Sequence, residues 1–396
     1  SAHEPGARWR VLLAWRSCTL VERPCHSLRM AKGNIVTSRS LWRLEFFVVS
    51  LLFHLIFTWS IFDVYFHSPV VYPSRRFDAA NAVPDAPWTG DAPADRLVLI
   101  VADGLRADTL FQRHATASLP SWAQHAVQGD QLVYNGTYPD AFKRTKTVDG
   151  QVSGPLYAYA APYLRSIARG PGVFGVSHTR VPTESRPGHV ALIAGMYEDM
   201  SAVSKGWKIN PLAFDSLLNQ SSHSYAYGSP DIVPMFVLGT SPDKVDWQVY
   251  NEEAEDFTKD AVELDTWVLH RMRDVFSRAQ RDPKADARLR QPKTLFFLHL
   301  LGLDTTGHTY RPMSPEYVGN TIVVDEIVRQ VSHLFEDFYG YNKTAFILTA
   351  DHGMSRKGNH GDGDPDNTRT PLVAWGAGVP KARHLPQRRF VYTEYD

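Results

Sequence analysis

Three carboxylates and three imidazoles stand where apolar runs stop, and together they read as a two-metal site. Asp351 and His352 come just after Phe346-Ile-Leu, and His360 lies on the glycine-rich loop beyond them. Asp304 and His308 follow Leu295-Phe-Phe-Leu-His-Leu-Leu, and Asp103 follows Leu97-Val-Leu-Ile-Val. Mixed carboxylate and imidazole ligation suits a borderline divalent ion such as zinc better than magnesium. Each residue alone has a plainer reading, because an acid at a strand end often caps the next helix and His-Gly is an ordinary turn pair. Convergence decides between them, since six such groups are costly to bury together without cations. His299, inside an apolar run, reads instead as a satisfied core residue.

The elements that must position these groups follow from the pattern around them. Short β-branched runs at 97–101, 172–176, 294–300, 345–348 and 372–375 read as buried strands. Phe257, Ala261, Leu264, Val268, Met272 and Val275 share one helical face, and Val324, Ile327, Val331, Leu334 and Phe338 share another. Alternation of this kind predicts an α/β domain whose central sheet is mainly parallel and flanked by helices. In such a sheet ligands bind beyond the carboxyl ends of the strands, where the six groups fall, and Thr183 arrives there after the run from Phe174. The basic stretch from Arg278 to Lys293 reads as a solvated loop.

With 396 residues and 43% hydrophobic content, the chain can bury a core large enough to carry that site. Lys plus Arg and Asp plus Glu both total 42, so no global field favours nucleic acid as a partner. The two cysteines, Cys18 and Cys25, precede the longest apolar run and cannot staple the domain. Residues 46–62 carry no formal charge, and extension to 66 gives about twenty residues, enough for one N-terminal transmembrane helix. Arg29, Lys32, Arg39 and Arg43 before the span and Asp63 after it predict a cytosolic amino end. Sequons at Asn135, Asn219 and Asn342 agree with a lumenal remainder.

The expected organisation is an N-terminal segment at 1–43, an anchor at 44–66 and a Pro-rich linker at 67–95. A catalytic domain at 96–380 follows, with an insertion at 111–155 and a truncated continuation at 381–396. Residues 1–29 precede a plausible initiator, Met30, and are expected not to be native.

The order Asp103, Thr183, Asp304, His308, Asp351, His352, His360 resembles the alkaline phosphatase superfamily, in the branch that includes nucleotide pyrophosphatases and phosphodiesterases. Ala102-Asp-Gly-Leu-Arg-Ala-Asp108, His178-Thr-Arg-Val-Pro-Thr-Glu-Ser-Arg-Pro-Gly-His189 and Lys205-Gly-Trp-Lys-Ile-Asn-Pro211 narrow the resemblance to the GPI ethanolamine phosphate transferases. That resemblance implies an alkaline-phosphatase-like fold with two divalent ions, expected to be Zn²⁺. Asp304, His308 and His360 would hold one ion and Asp103, Asp351 and His352 the other. Thr183 would be the nucleophile facing the second ion, and Asn210 would donate an amide to the phosphoryl oxygen, with an Asn-Pro turn as the alternative.

Arg186 and His189, with Glu184 and Ser185, would orient substrates, loop structure and helix capping being the alternative. The implied reaction moves phosphoethanolamine from phosphatidylethanolamine to a mannose, the first by expectation, of the GPI-anchor precursor at the endoplasmic reticulum membrane. The catalytic domain would be lumenal, and a phosphothreonine-type intermediate would form. Two alternatives remain open from sequence: a metal-dependent phosphodiesterase that hands the intermediate to water, and an inactive, membrane-anchored truncated isoform.

Overall fold

The computed structural model describes residues 35–66, 92–115, 157–197, 215–255, 261–340 and 342–382. The chain divides into two units, residues 1–63 and 64–396. In the first, helix α1 (Ile35–Phe66) contains Leu41–Ile61, a stretch long and apolar enough to cross a membrane. The helix begins nine residues before the expected anchor at 44, because the segment from Ile35 to Arg43 contains no proline or glycine to stop it.

The second unit is built on a seven-stranded sheet. Its strands are β1 (Arg96–Ala102), β4 (Val173–His178), β5 (His223–Gly228), β6 (Val245–Val249), β7 (Thr294–Leu300), β8 (Thr344–Thr349) and β9 (Arg369–Gly376), in the order β4-β9-β8-β1-β7-β5-β6. β2 (Arg113–Ala115) and β3 (Tyr157–Tyr159) form a separate antiparallel pair. β8, β1, β7, β5 and β6 run parallel, while β9 pairs antiparallel with both β8 and β4. The sheet is thus mainly parallel, as the alternating pattern predicts, with β9 alone antiparallel inside the β4 edge.

Helices cover both faces, and alternate strand residues divide between them. Val98, Ile100, Phe296 and Leu298 join one core with Val268, Met272, Val324 and Phe335. Leu99, Val101, Leu295 and Phe297 join another with Val190 and Ile193. The first core is aromatic: Phe296 meets Phe335 edge-on with centroids 4.7 Å apart, and Phe346 stacks on Trp375 at 5.0 Å. Each ring buried this way contributes roughly 1.5–3 kcal/mol.

Six further helices matter for the site or for the strands that carry it. They are α2 (Ala107–Phe111), α3 (Pro162–Arg169), α4 (Ser185–Ala194), α5 (Val262–Ala279), α6 (Gly302–Tyr310) and α7 (Pro315–Tyr339). α7 starts at Ser314, whose hydroxyl accepts from Tyr317 N, carries Pro315 in its first turn and ends on left-handed Gly340. The stretch expected as a solvated loop instead completes α5 and forms a short helix, Pro283–Leu289. Asp282 caps that helix, and Leu289 anchors it by burial, which a reading of its charges alone does not detect. Phe257 and nearly all of the expected insertion at 111–155 lie outside the described residues.

Candidate active site

All six expected ligands meet at the carboxyl rim of β1, β7 and β8. Asp103 directly follows β1, and the turn after it needs Gly104, with φ +71°, where a Cβ would lie 3.0 Å from Asp304 Cα. Asp304 and His308 sit four residues apart on one face of α6, and Asp265 on α5 fixes the start of that helix by accepting from Gly302 N at 2.8 Å. Asp351 and His352 follow β8. The loop beyond folds back so that Thr183 and Gly361 pair as an isolated bridge, which delivers His360.

The three imidazoles share one orientation rule. Each Nδ1 faces a backbone carbonyl and must donate to it: His308 to Gly358 at 2.9 Å, His352 to Gly353 at 2.8 Å and His360 to Thr183 at 2.8 Å. The neutral tautomer this imposes leaves every Nε2 with a lone pair aimed into the cluster. His308 Nε2 and His360 Nε2 stand 3.1 Å apart, with Asp304 Oδ2 3.3 Å from the first and Asp304 Oδ1 3.5 Å from the second. His352 Nε2 lies 3.4 Å from both Asp103 Oδ1 and Asp351 Oδ2.

The electrostatics of this set are unfavourable without a cation. Burial, then the charges of Asp351 and Asp304, push the Asp103 carboxyl well above its ordinary range, and burial raises Asp351 too. Burial also raises Asp304, but its hydrogen bond to His308 and the neighbouring imidazoles outweigh that and bring it down. Burial lowers His352 and His360, whereas the bond to Asp304 raises His308. Asp304 Oδ1 and Asp351 Oδ2 are buried oxygens that accept no hydrogen bond among the described residues. Orphaned acceptors beside converging nitrogen lone pairs fit divalent ions: Asp304, His352 and His360 converge on one point and Asp103, Asp351 and His352 on another, with His308 Nε2 beside Asp304 and His360.

The hydroxyl at this cluster belongs to Ser185, not to Thr183. Thr183 is fully buried; its Oγ1 donates to Asp362 O at 2.7 Å and accepts from Gly361 N at 2.8 Å, so it clamps the loop that carries His360. Ser185 opens α4 after extended Glu184, and its Oγ lies 3.2 Å from His352 Nε2 and 3.5 Å from Asp103 Oδ1. α4 can approach this closely because residue 188 is glycine: a Cβ there would lie 2.8 Å from Asp351 Cβ.

Two other expectations change. Arg186 and His189 are fully buried, which removes them from substrate contact. His189 Nδ1 donates to Ser185 O at 2.7 Å and stands 3.4 Å from Asp351 Oδ2, so it supports the site from beneath. Asn210 lies outside the described residues. His299, expected as plain core, accepts from Ser229 N at 3.3 Å and turns its other nitrogen to Asp103 Oδ2 at 3.0 Å. It thereby orients Asp103, a role its apolar flanks concealed. Arg106, also unforeseen, binds Asp108, Asp366 and the carbonyl of Met354, tying the β1 turn to the loop after β8.

A cavity of about 470 Å³ opens over the cluster, bordered by Asp103, Glu184, Ser185 and Asp304. What the arrangement can do chemically is activate a serine hydroxyl against a phosphorus centre while neutralising charge on the phosphoryl oxygens.

The chain is similar to several known proteins. The family described as type I phosphodiesterase / nucleotide pyrophosphatase matches residues 207–362, which include five of the six clustered groups. A protein named GPI ethanolamine phosphate transferase 1 from Aspergillus oryzae is 52% identical over 342 residues, covering 86% of this chain and 30% of its own length. The namesake from Saccharomyces cerevisiae is 46% identical over 345 residues, covering 87% of this chain and 33% of its own. A solved alkaline phosphatase superfamily protein from Vibrio parahaemolyticus superposes with a TM-score of 0.42 at 12% identity, over 79% of this chain and 65% of that one. The chain spans about a third of the length of the curated relatives it matches. Over that span, at about half identity, it is similar to the GPI ethanolamine phosphate transferases.

Proposed function

We propose that this chain carries the catalytic centre that transfers phosphoethanolamine from phosphatidylethanolamine to a mannose, the first, of the GPI-anchor precursor. Helix α1 would anchor it in the endoplasmic reticulum membrane with residues 96–380 as a lumenal catalytic domain and the linker at 67–95 between them. The relatives' shared name supports the reaction, and the position of Ser185 Oγ between Asp103 and His352 is the observation that carries the mechanism.

Asp304, His308 and His360 would hold one divalent ion and Asp103, Asp351 and His352 the other, with zinc the fitting metal for that donor set. Bound there, the pair supplies Lewis-acid stabilisation of an alkoxide and of charge on the phosphoryl oxygens. Ser185 Oγ attacks the phosphorus of the lipid diester; the Oγ–P bond forms, the bond to the glyceryl oxygen breaks, and the serine proton ends on that departing oxygen. In the second half the mannose hydroxyl attacks the phosphoserine, the new P–O bond forms as the Oγ–P bond breaks, and the mannose proton goes to Ser185 Oγ. Thr183 holds the loop of His360 in place, so the intermediate is assigned to serine rather than threonine.

Incubating the chain and zinc with head-group-labelled phosphatidylethanolamine and a mannosylated GPI precursor tests the reading. Label is expected on the sugar. Release solely as free phosphoethanolamine would establish a phosphodiesterase that uses water, and intact lipid alone would mark the chain as inert.

A further inference from the structure

Beyond the reacting centre, the cavity continues along the sheet rim past β7 to the ends of β5 and β6, where Ser229, Asp231 and Glu255 line it. We propose that this arm is the ammonium pocket, in which Glu255 and Asp231 receive the primary amine of the phosphoethanolamine group whose phosphorus sits at Ser185. The inference rests on the function proposed above and names how its donor is recognised.

Three observations carry it. First, charge: among the described residues lining the cavity there is no lysine or arginine, and its carboxylates stand at both ends. Ions held at the cluster would neutralise Asp103 and Asp304, so Asp231 and Glu255 set the field of the far arm, with Glu184 at the near end. Second, a buried hydroxyl backs the two acids. The Tyr250 hydroxyl, on a residue only 5% exposed, stands near Ser229 and Glu255. An ammonium has three donors to distribute, and a neutral hydroxyl and carboxylates are suitable acceptors for them.

Third, position: the arm is built to sit at a set distance from the phosphorus. Ser229 Oγ donates to Glu255 Oε1 at 2.9 Å and accepts from Asp231 N at 3.1 Å, so one serine fixes both acids. The same residue's backbone N–H bonds His299, which bonds Asp103. Adjacent strands lie about 4.8 Å apart, so the β5 end stands roughly two strand spacings from the β1 end, with β7 between. Ile232 and Leu301 form apolar wall in the same cavity, suited to the two methylenes of ethanolamine.

The test compares O-phosphoethanolamine with propyl phosphate, which replaces the ammonium by a methyl group, in binding to the zinc-loaded full chain in detergent, measured by calorimetry. Phosphoethanolamine is expected to bind about 10- to 100-fold more tightly, the range of a charged hydrogen-bonded contact. Glu255→Gln and Asp231→Asn should each shrink that ratio, and Glu255→Asp should preserve part of it. Equal binding by the wild-type chain, or a ratio that neither neutral variant alters, would overturn the ammonium pocket while leaving the reacting centre intact. Failure of both phosphates to bind would overturn the underlying reading of the site and this inference with it. Should one variant not fold, the wild-type ratio and the other variant still decide.

Discussion

At the scale of single residues, two hydroxyls two positions apart have different tasks. Ser185→Ala removes the only side-chain hydroxyl that the described structure places against Asp103 and His352, and should lower label transfer on the order of 10⁴-fold or more with zinc content preserved. Thr183→Val instead strands Asp362 O and Gly361 N without their partner, costing about 1–3 kcal/mol of stability with a much smaller effect on the rate. Transfer assays and urea midpoints on the two variants rank them, and the reverse ranking would return the nucleophile to Thr183. The convergence of these side chains was legible in the sequence because Asp-x-x-x-His reports one helix face and Asp-His at a strand end reports the rim. Which hydroxyl reaches the rim was not, since it depends on the helix starting at Ser185 rather than two residues earlier.

At the scale of elements, the site is a matter of how closely α4 lies against the loop after β8. Gly188→Ala would press a methyl against Asp351 Cβ and O, both 2.8 Å from the new Cβ, and neither backbone can retreat without moving a ligand. We expect a loss of about 1–3 kcal/mol, the usual cost of overpacking, together with weakened zinc retention on dialysis. Unchanged stability and retention would show that α4 is free to shift. The same scale explains what sequence pattern could and could not show. β1 and β7 are legible because they are buried on both faces, and all three of β1, β7 and β8 read as largely apolar runs. β5, His-Ser-Tyr-Ala-Tyr-Gly, and β6, Val-Asp-Trp-Gln-Val, are not: their polar residues are spent on partners such as Ser221 for Ser224 and Tyr227 for Asp246. Those two unforeseen strands carry the far arm of the cavity.

At the scale of the whole molecule, the cluster is a stability liability that bound ions would turn into an asset. Asp103, Asp304 and Asp351 are each at most 8% exposed, and their mutual repulsion inside the domain opposes folding unless positive charge enters with them. Ions that bind only the folded chain add stability as RT ln(1 + [L]/Kd), about 2.7 kcal/mol at a hundredfold excess over Kd for one site. For a domain of this size each kcal/mol moves the thermal midpoint by roughly 2 °C, so chelation should lower Tm by at least about 5 °C and zinc should restore it. Ser185→Ala should show the same drop, because its hydroxyl is no part of the donor set, whereas Asp304→Asn should show a smaller one, having lost one ion beforehand. A midpoint indifferent to chelator in the unsubstituted chain would mean that the buried acids are held neutral by their own protons, and the two-ion reading would fall with it.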